Sequence, residues 1–459
     1  MSQNTNVGFS VLFRYGIGFC GLWMLWQALL FFLVNFFVPP AGEGMPILIS
    51  QGSLLLFFNA MALIVLFTRF LDLVTDPIIG NLSDRHVGSR GRRIPFLKIG
   101  SLSAFLFILI FIPLTEAEST INSIWLALIL SAFYIVFTCY FIPYYALIND
   151  IGTTNADRVN FSTSAGLFGS IGLVIAAQMP LLWKYFEGAG YSVLHAKQYS
   201  FACFGVVAFL FMLVPIFTLR ESREVPADSD SLSLKETLKY LSKNKYFGGY
   251  FLIMLLYYLA NAIFGAGMPY LYTVLLELDA VYIAKSLPLI VLVSLVVFPV
   301  TNFFAKRIGK RFLLSIAMFF LAVGFFAGSY IGYFPASKVT QGYLIAAFFG
   351  LPIGMVTVLI VAICSDIAEH SRLCKKLAIE GAIFAGKNIA LKLGAVIGIT
   401  FFASFTLLGK DIGNDFGLRS MNFLCGALCF LGAFLVFKVY DEVGMFKEIE
   451  EAKSSSSDL

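Results

Sequence analysis

Two acids, Asp72 and Asp76, lie four residues apart at the end of the apolar run Leu54 to Phe67, and Pro77 follows the second of them. Residues four apart lie on one face of a helix, so the two carboxylates repel each other, and a proton on one or a small cation between them relieves the repulsion. An acid inside hydrocarbon costs about 2.5–3.5 kcal/mol and therefore marks a functional site. The pair predicts a binding site for Na⁺ or H⁺. In the alternative interpretation, both acids lie at the water interface and pair with Arg69.

A lysine far along the chain, Lys392, lies inside the apolar run Ile379 to Leu407 and needs a carboxylate partner there. An ion pair between Lys392 and the two acids would compete with a bound cation. Lys387 is a second cation in the same run, and it either contacts substrate or extends its ammonium group to the interface. The three histidines lie in or near loops, and no nucleophile with a base and an orienting acid can be placed. The pattern therefore predicts a protein that is not an enzyme.

Composition excludes a soluble protein. Hydrophobic residues make up 59% of the 459 residues, charged residues 13%, and the mean hydropathy is +0.86, whereas soluble domains carry about 25% charged residues. About twelve apolar runs approach the ~20 residues that a membrane-spanning helix needs. Their approximate cores are Phe13 to Val38, Leu54 to Leu71, Phe96 to Leu114, Ile124 to Leu147, Phe161 to Trp183, Phe201 to Leu219, Tyr250 to Leu275, Leu287 to Phe304, Phe312 to Tyr333, Gly342 to Cys364, Ile379 to Leu407 and Leu418 to Tyr440. Because lipid offers no hydrogen bonds to the backbone, runs of this length form helices.

Basic residues are concentrated in alternate loops, which predicts that those loops and both termini are cytoplasmic. The bases of these loops are Arg85, Arg90, Arg92, Arg93, Lys98, Arg158, Arg220, Arg223, Lys235, Lys239, Lys243, Lys245, Lys306, Arg307, Lys310, Arg311, Arg372, Lys375 and Lys376. The formal charge of +5 is then explained by insertion topology, and no nucleic-acid partner is needed. We expect a multi-pass protein of the plasma (inner) membrane.

The polar stretch Arg220 to Lys245 divides the chain into halves. We predict a six-helix bundle over 1–219, a cytoplasmic linker over 220–245, a second six-helix bundle over 246–440 and a cytoplasmic tail over 441–459. Ser233 and Glu236 form a capping box that predicts a short helix in the linker. The tail is predicted to be disordered beyond a short helix that ends at Glu451. Basic, glycine-bearing turns after the second and eighth spans indicate that the two bundles are pseudo-symmetric.

The turn from Gly80 through Asp84 and Arg85 to Arg92 and Arg93 resembles the cytoplasmic signature of the major facilitator superfamily. The pattern Arg69-x-x-Asp72-x-x-x-Asp76-Pro77-x-x-Gly80 resembles the glycoside-pentoside-hexuronide:cation symporter family within it, typified by melibiose permease. Three further segments resemble this family at matching spans, namely Thr138 to Leu147, Ser365 to His370 with Glu380 and Lys392 beyond it, and Tyr440 with Glu448 to Glu451.

The resemblance implies an all-α membrane protein with about twelve transmembrane helices in two six-helix bundles, and cation-coupled symport by alternating access. It implies that Asp72 and Asp76 bind the coupling cation, with a neutral oxygen from Thr138, and that Lys392 is a charge partner together with Arg69. Thr75 replaces a frequent Asn of the family and keeps an oxygen ligand, which leaves Na⁺ and H⁺ both open. No other cofactor is implied. The expected cytoplasmic gate residues are Gly80, Asp84, Arg85, Arg92, Arg93, Asp366 and Glu369.

The substrate is less defined by the sequence than the ion. Two acids that bind sugar in the family fall on Trp23 and Phe141, which with Tyr144 and Tyr145 form an apolar wall suited to an acyl chain or an aromatic aglycone. Gln27 and Lys387 offer polar groups, so a sugar or glycoside is the first expectation. A lysophospholipid, carried by related symporters, is the alternative, and a non-transporting sensor or a cation-independent lipid flippase is a third interpretation. We expect a functional monomer.

Overall fold

Helices make up nearly all of the computed structural model, which describes residues 8–86, 88, 91–152, 154–219, 221, 244–375 and 380–457. The chain divides into two units, unit 1 at Met1–Ser229 and unit 2 at Asp230–Leu459. The helix predicted from Ser233 and Glu236 in the linker lies outside the described residues. The described helices and their apolar character confirm the predicted all-α membrane class.

Unit 1 contains eight described helices and a short antiparallel hairpin. The helices are α1 (Phe9–Phe37), α2 (Ala60–Arg85), α3 (Ile94–Ser101), α4 (Ser103–Ile110), α5 (Thr120–Ile151), α6 (Asn155–Ala176), α7 (Met179–Gly188) and α8 (Val193–Thr218), and the strands are β1 (Ser53–Leu55) and β2 (Phe58–Asn59).

Unit 2 contains seven described helices. They are α9 (Lys245–Tyr270, continued by a π-helical turn at Leu271–Leu275), α10 (Val281–Ile308), α11 (Lys310–Ser329), α12 (Lys338–Lys375), α13 (Glu380–Phe405), α14 (Phe416–Val439) and α15 (Glu442–Ser457).

Ten helical segments of the described chain are long and apolar enough to cross a membrane, against about twelve predicted runs. The third predicted run, Phe96 to Leu114, is divided between α3 and α4, and its apolar part Ile94–Ile110 is shorter than a full span. The second predicted run corresponds to α2, whose Arg69, Asp72 and Asp76 make it too polar for that count. Each predicted run therefore overlaps a described helix. The ten spans fall short of the twelve predicted runs because one run is divided between two helices and one helix carries charged residues.

The start of the second predicted span is corrected by the structure. Leu54 lies in the β1–β2 hairpin, and α2 begins only at Ala60, where the side chain of Asn59 accepts a hydrogen bond from the backbone N–H of Ala62 at 2.9 Å. Such a cap satisfies one of the free N–H groups of a helix start. Because α2 continues to Arg85, Asp72 and Asp76 lie near the middle of the helix, not at its end.

Close packing inside each unit depends on glycine. A Cβ on Gly21 of α1 would lie 2.6 Å from the carbonyl oxygen of Ala208 in α8, and one on Gly394 of α13 would lie 2.7 Å from the backbone nitrogen of Leu259 in α9. Small residues allow helix backbones in membranes to approach each other in this way. The helix pairs α1 with α8 and α9 with α13 therefore set the positions of the side chains around them.

The C-terminal helix α15 corrects the predicted disorder of the tail, because it continues to Ser457. Met445 and Ile449 are buried against unit 2. The Glu448 carboxylate accepts a hydrogen bond from Lys245 Nζ at 2.7 Å and lies 2.7 Å from Nε2 of the fully buried His370. A charged helix with few apolar residues is ordered here because these anchors hold it against α9 and α12.

Replacing Glu448 by Gln is expected to lower the thermal stability of unit 2. The change removes the charge that meets Lys245 and leaves the buried His370 with a weaker partner, at a cost of about 1–3 kcal/mol. Differential scanning fluorimetry of the purified protein measures the change. Glu451→Gln is the control, because the exposed Glu451 forms a long ion pair with the exposed Lys447, at 4.0 Å. Equal effects of the two variants would contradict the role given to Glu448.

Candidate cation site and ion-pair clusters

The two acids of α2 meet a hydroxyl of α5. Thr138 Oγ1 lies 3.0 Å from Oδ1 of Asp72 and 3.3 Å from Oδ1 of Asp76. Asp72 and Thr138 are each 1% exposed, while Asp76 is half-buried. Carboxylate and hydroxyl oxygens are the ligands that hard cations prefer. The arrangement can hold a small cation, or a proton on one carboxylate, between two helices of unit 1.

Arg69, one turn before Asp72, is buried between two aromatic rings. Its guanidinium carbon lies 4.6 Å from the ring centre of Trp26 in α1 and 4.3 Å from that of Tyr134 in α5. Its side chain is 3% exposed, and within the described part of the chain its Nε and Nη1 atoms have no hydrogen-bond partner. Cation–π contacts of this kind are worth about 2 kcal/mol or more when desolvated. Arg69 and Asp72 are therefore both enclosed by protein.

The sequence does not distinguish Trp26 and Tyr134 from the other aromatic residues, which together make up 16% of the chain. Spacing offers a partial signal. Tyr134 precedes Thr138 by four residues and Arg69 precedes Asp72 by three. Both spacings place the two residues of a pair on one face of a helix. Only the pairing of α2 with α5 identifies the ring as a neighbour of the arginine.

Thr75, predicted as a further oxygen ligand, donates its hydroxyl to the backbone carbonyl of Asp72 at 3.1 Å. Hydrogen bonds from Thr to the preceding turn of the same helix are common. The structure thus brings Asp72, Asp76 and Thr138 together and gives the hydroxyl proton of Thr75 to its own helix.

The predicted substrate residues on α5 fall into two environments. Phe141 packs against Trp26 and Tyr145, with ring centres 6.2 and 4.9 Å apart, and Tyr145 is 39% exposed. Tyr144 is fully buried, and its hydroxyl donates to the carbonyl oxygen of Tyr15 while the hydroxyl of Tyr15 donates to the carbonyl oxygen of Tyr144. The reciprocal bonds place Tyr144 in the packing between α1 and α5. Phe141 lies next to the Arg69 site because it packs on Trp26, and Tyr145 packs on Phe141.

The predicted substrate residues on α1 and α13 are also partly enclosed. Trp23 is half-buried against Gly169 of α6. Gln27 is 7% exposed, and its Oε1 has no hydrogen-bond partner among the described residues. Lys387 is half-buried, and Lys392, which also belongs to unit 2, is 5% exposed. Gln27 therefore offers a buried acceptor, and Lys392 places a buried cation in the second unit.

The predicted gate residues of unit 1 form an ion-pair cluster at the turn before α3. Arg92 Nη2 lies 2.6 Å from Asp150 Oδ1, and Arg93 Nη2 lies 2.5 Å from Asp84 Oδ1. The hydrogen bond with Asp150 raises the pKa of Arg92. The carboxylate of Glu221 accepts from three successive backbone N–H groups beginning at Arg92, at 2.6, 2.8 and 2.7 Å. An acid at this position stabilises the N-terminus of a helix.

Unit 2 repeats this cluster at the turn before α11. Lys310 Nζ lies 2.5 Å from Asp366 Oδ2, and the Glu442 carboxylate accepts from the backbone N–H groups of Lys310 and Arg311 at 2.9 and 2.7 Å. The glycines that precede the two basic pairs, Gly91 and Gly309, have positive φ angles of 101° and 86°. The repeat of glycine followed by two bases is visible in the sequence. The two capping acids, Glu221 and Glu442, are not visible as a repeat in the sequence, because their distances along the chain from Gly91 and Gly309 differ.

The other predicted gate residues lie outside these clusters. Arg85 is exposed at the end of α2, and Glu369 pairs with Lys453 of α15 at 2.9 Å. A Cβ on Gly80 would meet only Ile142 at 3.6 Å, which is ordinary contact. Asp150 belongs to the cluster of unit 1, although the sequence did not predict it. Asp366 pairs with the first base of the equivalent turn in unit 2, so comparison of the two turns would have indicated Asp150.

The helical fold, the buried acid pair and the repeated clusters define a secondary transporter of the major facilitator type. The model of the family described as MFS/sugar transport protein matches residues 52–441, and the chain belongs to this family. The predicted resemblance to glycoside-pentoside-hexuronide:cation symporters is confirmed by this match together with the relatives described next, as is the predicted class of multi-pass transporter of a small molecule.

Known relatives and structures agree with this assignment. The chain is 23% identical over 379 residues to the inner membrane symporter YicJ of Escherichia coli (strain K12), covering 81% of this chain and 75% of YicJ. It is 22% identical over 337 residues to the isoprimeverose transporter of Lactiplantibacillus pentosus, covering 72% of this chain and 69% of that protein. The xylose transporter XylE from E. coli, in a partially occluded inward-open conformation, has the same fold, with a TM-score of 0.63, 13% identity, and coverage of 95% of this chain and 98% of XylE.

Replacing Thr138 by Val is expected to weaken cation binding. The change removes a hydroxyl that lies within reach of both acids and leaves the side-chain volume nearly unchanged, so the apparent cation affinity should fall about tenfold. Uptake measured against cation concentration gives this affinity. Thr163→Val is the control, because the exposed Thr163 bonds only the carbonyl of Val159 in its own helix. An unchanged affinity in Thr138→Val would exclude Thr138 as a ligand.

Replacing Gly91 by Ala is expected to destabilise the cluster of unit 1. The positive φ angle is costly for alanine, and a Cβ would lie 2.4 Å from the Glu221 carboxylate. Together these effects should cost about 1–3 kcal/mol. Thermal unfolding measures the loss. Gly188→Ala serves as the control, because no atom lies within 4 Å of its added Cβ.

Proposed function

We propose that this protein is a symporter that carries a sugar or glycoside together with Na⁺ or H⁺ across the plasma (inner) membrane. Both termini are cytoplasmic in this proposal, and the monomer is the functional unit. The observation that carries the proposal is the buried pair Asp72 and Asp76 with the Thr138 hydroxyl between them, in a chain of the MFS/sugar transport protein family.

Charge balance supports one monovalent cation at this site. When both acids are ionised, Asp72, Asp76 and Arg69 together carry one net negative charge, which a single Na⁺ or H⁺ neutralises. Arg69 is held by Trp26 and Tyr134, so it remains near the acids whether or not an ion is bound. A neutral site crosses the apolar interior at lower cost than a charged one, which favours movement of the protein with the ion loaded.

Coupling requires that the protein not change freely between its two access states when no ion is bound. Lys392 is a buried cation of the second unit, and we assign it the role of charge partner that competes with the coupling ion for the acids. Alternating access is the general mechanism of transporters that are built from repeated bundles. The clusters around Arg92 and Lys310 fix the ends of α3 and α11 within their own units, which suits rigid-body movement of each bundle.

The site favours a sugar over a lysophospholipid. Phe141 and Tyr145 offer rings on which a sugar can stack, and Gln27 Oε1 is a buried acceptor that a sugar hydroxyl would satisfy. One of the relatives is an isoprimeverose transporter, so a disaccharide or glycoside of this kind is the first substrate to test. The amphiphile is favoured only by the aromatic residues, which suit a sugar equally well.

Asp76→Asn is expected to abolish cation-driven accumulation of substrate. The change removes one of the two charges that bind the ion, while facilitated equilibration can persist. Uptake of labelled isoprimeverose, raffinose, xylose and lysophosphatidylcholine into proteoliposomes, with imposed Na⁺ or H⁺ gradients, measures driven accumulation and identifies the ion. Glu118→Gln, which alters an exposed acid of the α4–α5 loop, is the matched control. Accumulation that persists in Asp76→Asn would exclude the acid pair as the coupling site, and uptake of the lysophospholipid alone would overturn the sugar assignment.

A further inference from the structure

A cavity of about 590 Å³ lies at the end of unit 2 where α11 begins, α14 ends and α15 crosses. It is separate in the chain from the acid pair of α2 and from the predicted substrate residues. Its walls combine aromatic side chains with charged groups of both signs. It shares Gly309, Arg311 and Glu442 with the ion-pair cluster of unit 2, and no role has been assigned above to its remaining lining residues.

The apolar wall of the cavity is open to its surroundings. Phe312 at the start of α11, Phe437 near the end of α14 and Phe446 of α15 line it and are 47%, 44% and 37% exposed. The two helices α11 and α14 are spans, so their ends lie near the membrane–water interface. Exposed rings at that level contact glycerol and the first acyl carbons of a lipid.

The polar wall carries an incompletely bonded arginine. One terminal nitrogen of Arg311 donates to the carbonyl oxygen of Phe437, but its Nε is buried and has no hydrogen-bond partner among the described residues. Lys447, whose side chain is 77% exposed, adds a second positive charge from α15. Two donors of this kind on one wall suit a phosphate group.

The acids of the cavity decide which phosphate ligand fits. Glu442 and Glu450 line it beside the two bases. Glu442 is engaged by the backbone N–H groups of Lys310 and Arg311, which leaves Glu450 as the acid that faces a ligand. A headgroup without a positive charge, such as the glycerol of phosphatidylglycerol, would leave this acid without a cationic partner. A choline headgroup carries no N–H with which to bond it, whereas an ethanolamine ammonium has three.

We propose that this cavity binds phosphatidylethanolamine, with the phosphate at Arg311 and Lys447, the ammonium at Glu450 and the acyl chains along Phe312 and Phe437. The lipid joins α15 to the ends of two spans. It therefore adds to the anchoring that Glu448 provides, and its binding should stabilise unit 2. The inference concerns a lipid site on the transporter and does not depend on the identity of the transported solute.

Native mass spectrometry and thermal unfolding of the full-length protein in detergent test the proposal, with phosphatidylethanolamine, phosphatidylglycerol or phosphatidylcholine of matched acyl chains added in turn. Phosphatidylethanolamine is expected to bind most tightly and to raise the unfolding temperature most. Lys447→Ala should weaken its binding about tenfold. Glu450→Gln should remove the preference for it over phosphatidylglycerol. Both positions are exposed on α15, so the variants are expected to fold.

Lys438→Ala is the matched control, because Lys438 is an exposed base at the same end of unit 2 that does not line the cavity. It should bind the lipid as the unchanged protein does. Equal binding of the three lipids, a preference for phosphatidylglycerol, or equal effects of Lys447→Ala and Lys438→Ala would each overturn the proposal. Transport assays are not needed for this test, so its failure is distinguishable from failure of the proposed symport.

Discussion

Charge buried in the middle of an apolar helix is the constraint on which this structure depends. Asp72 is 1% exposed in a helix that the chain must stabilise within hydrocarbon, and a carboxylate there persists only with partners. The hydroxyl of Thr138 supplies a polar partner, and the rings of Trp26 and Tyr134 hold Arg69 one turn before Asp72. Three helices, α1, α2 and α5, are therefore tied to each other by the needs of a single site.

Unpaired polar groups also need partners at the helix ends. There, carboxylates from distant segments accept hydrogen bonds from the free backbone N–H groups. Glu221 caps α3 and Glu442 caps α11, and in each case a glycine with positive φ lets the carboxylate approach. The two clusters are built from side chains of their own unit. Each bundle is thus closed at this end by internal ion pairs, which is consistent with bundles that move as rigid bodies in alternating access.

Much of the fold followed from the sequence because the physics of lipid is restrictive. Long apolar runs have few structural alternatives, and the class of protein, the family and the matching helices were predicted correctly. Boundaries were less certain. The run from Leu54 is apolar enough for a span, but Asn59 starts α2 later and a hairpin takes the preceding residues. The helical end of the chain was missed because the residues that anchor it, Lys245 and His370, lie far away in sequence.

The sequence by itself determined that this is a multi-pass helical protein with two acids on one face of a helix, because hydropathy and the helical period act locally along the chain. Tertiary structure alone decided which groups complete the site. Thr138 is 66 residues from Asp72, and their contact depends on the rotation and height of α5 against α2, which no local pattern encodes. The same holds for Arg69 between its two rings and for the acids that cap α3 and α11. In a chain with so many aromatic residues, packing selects the few that take part.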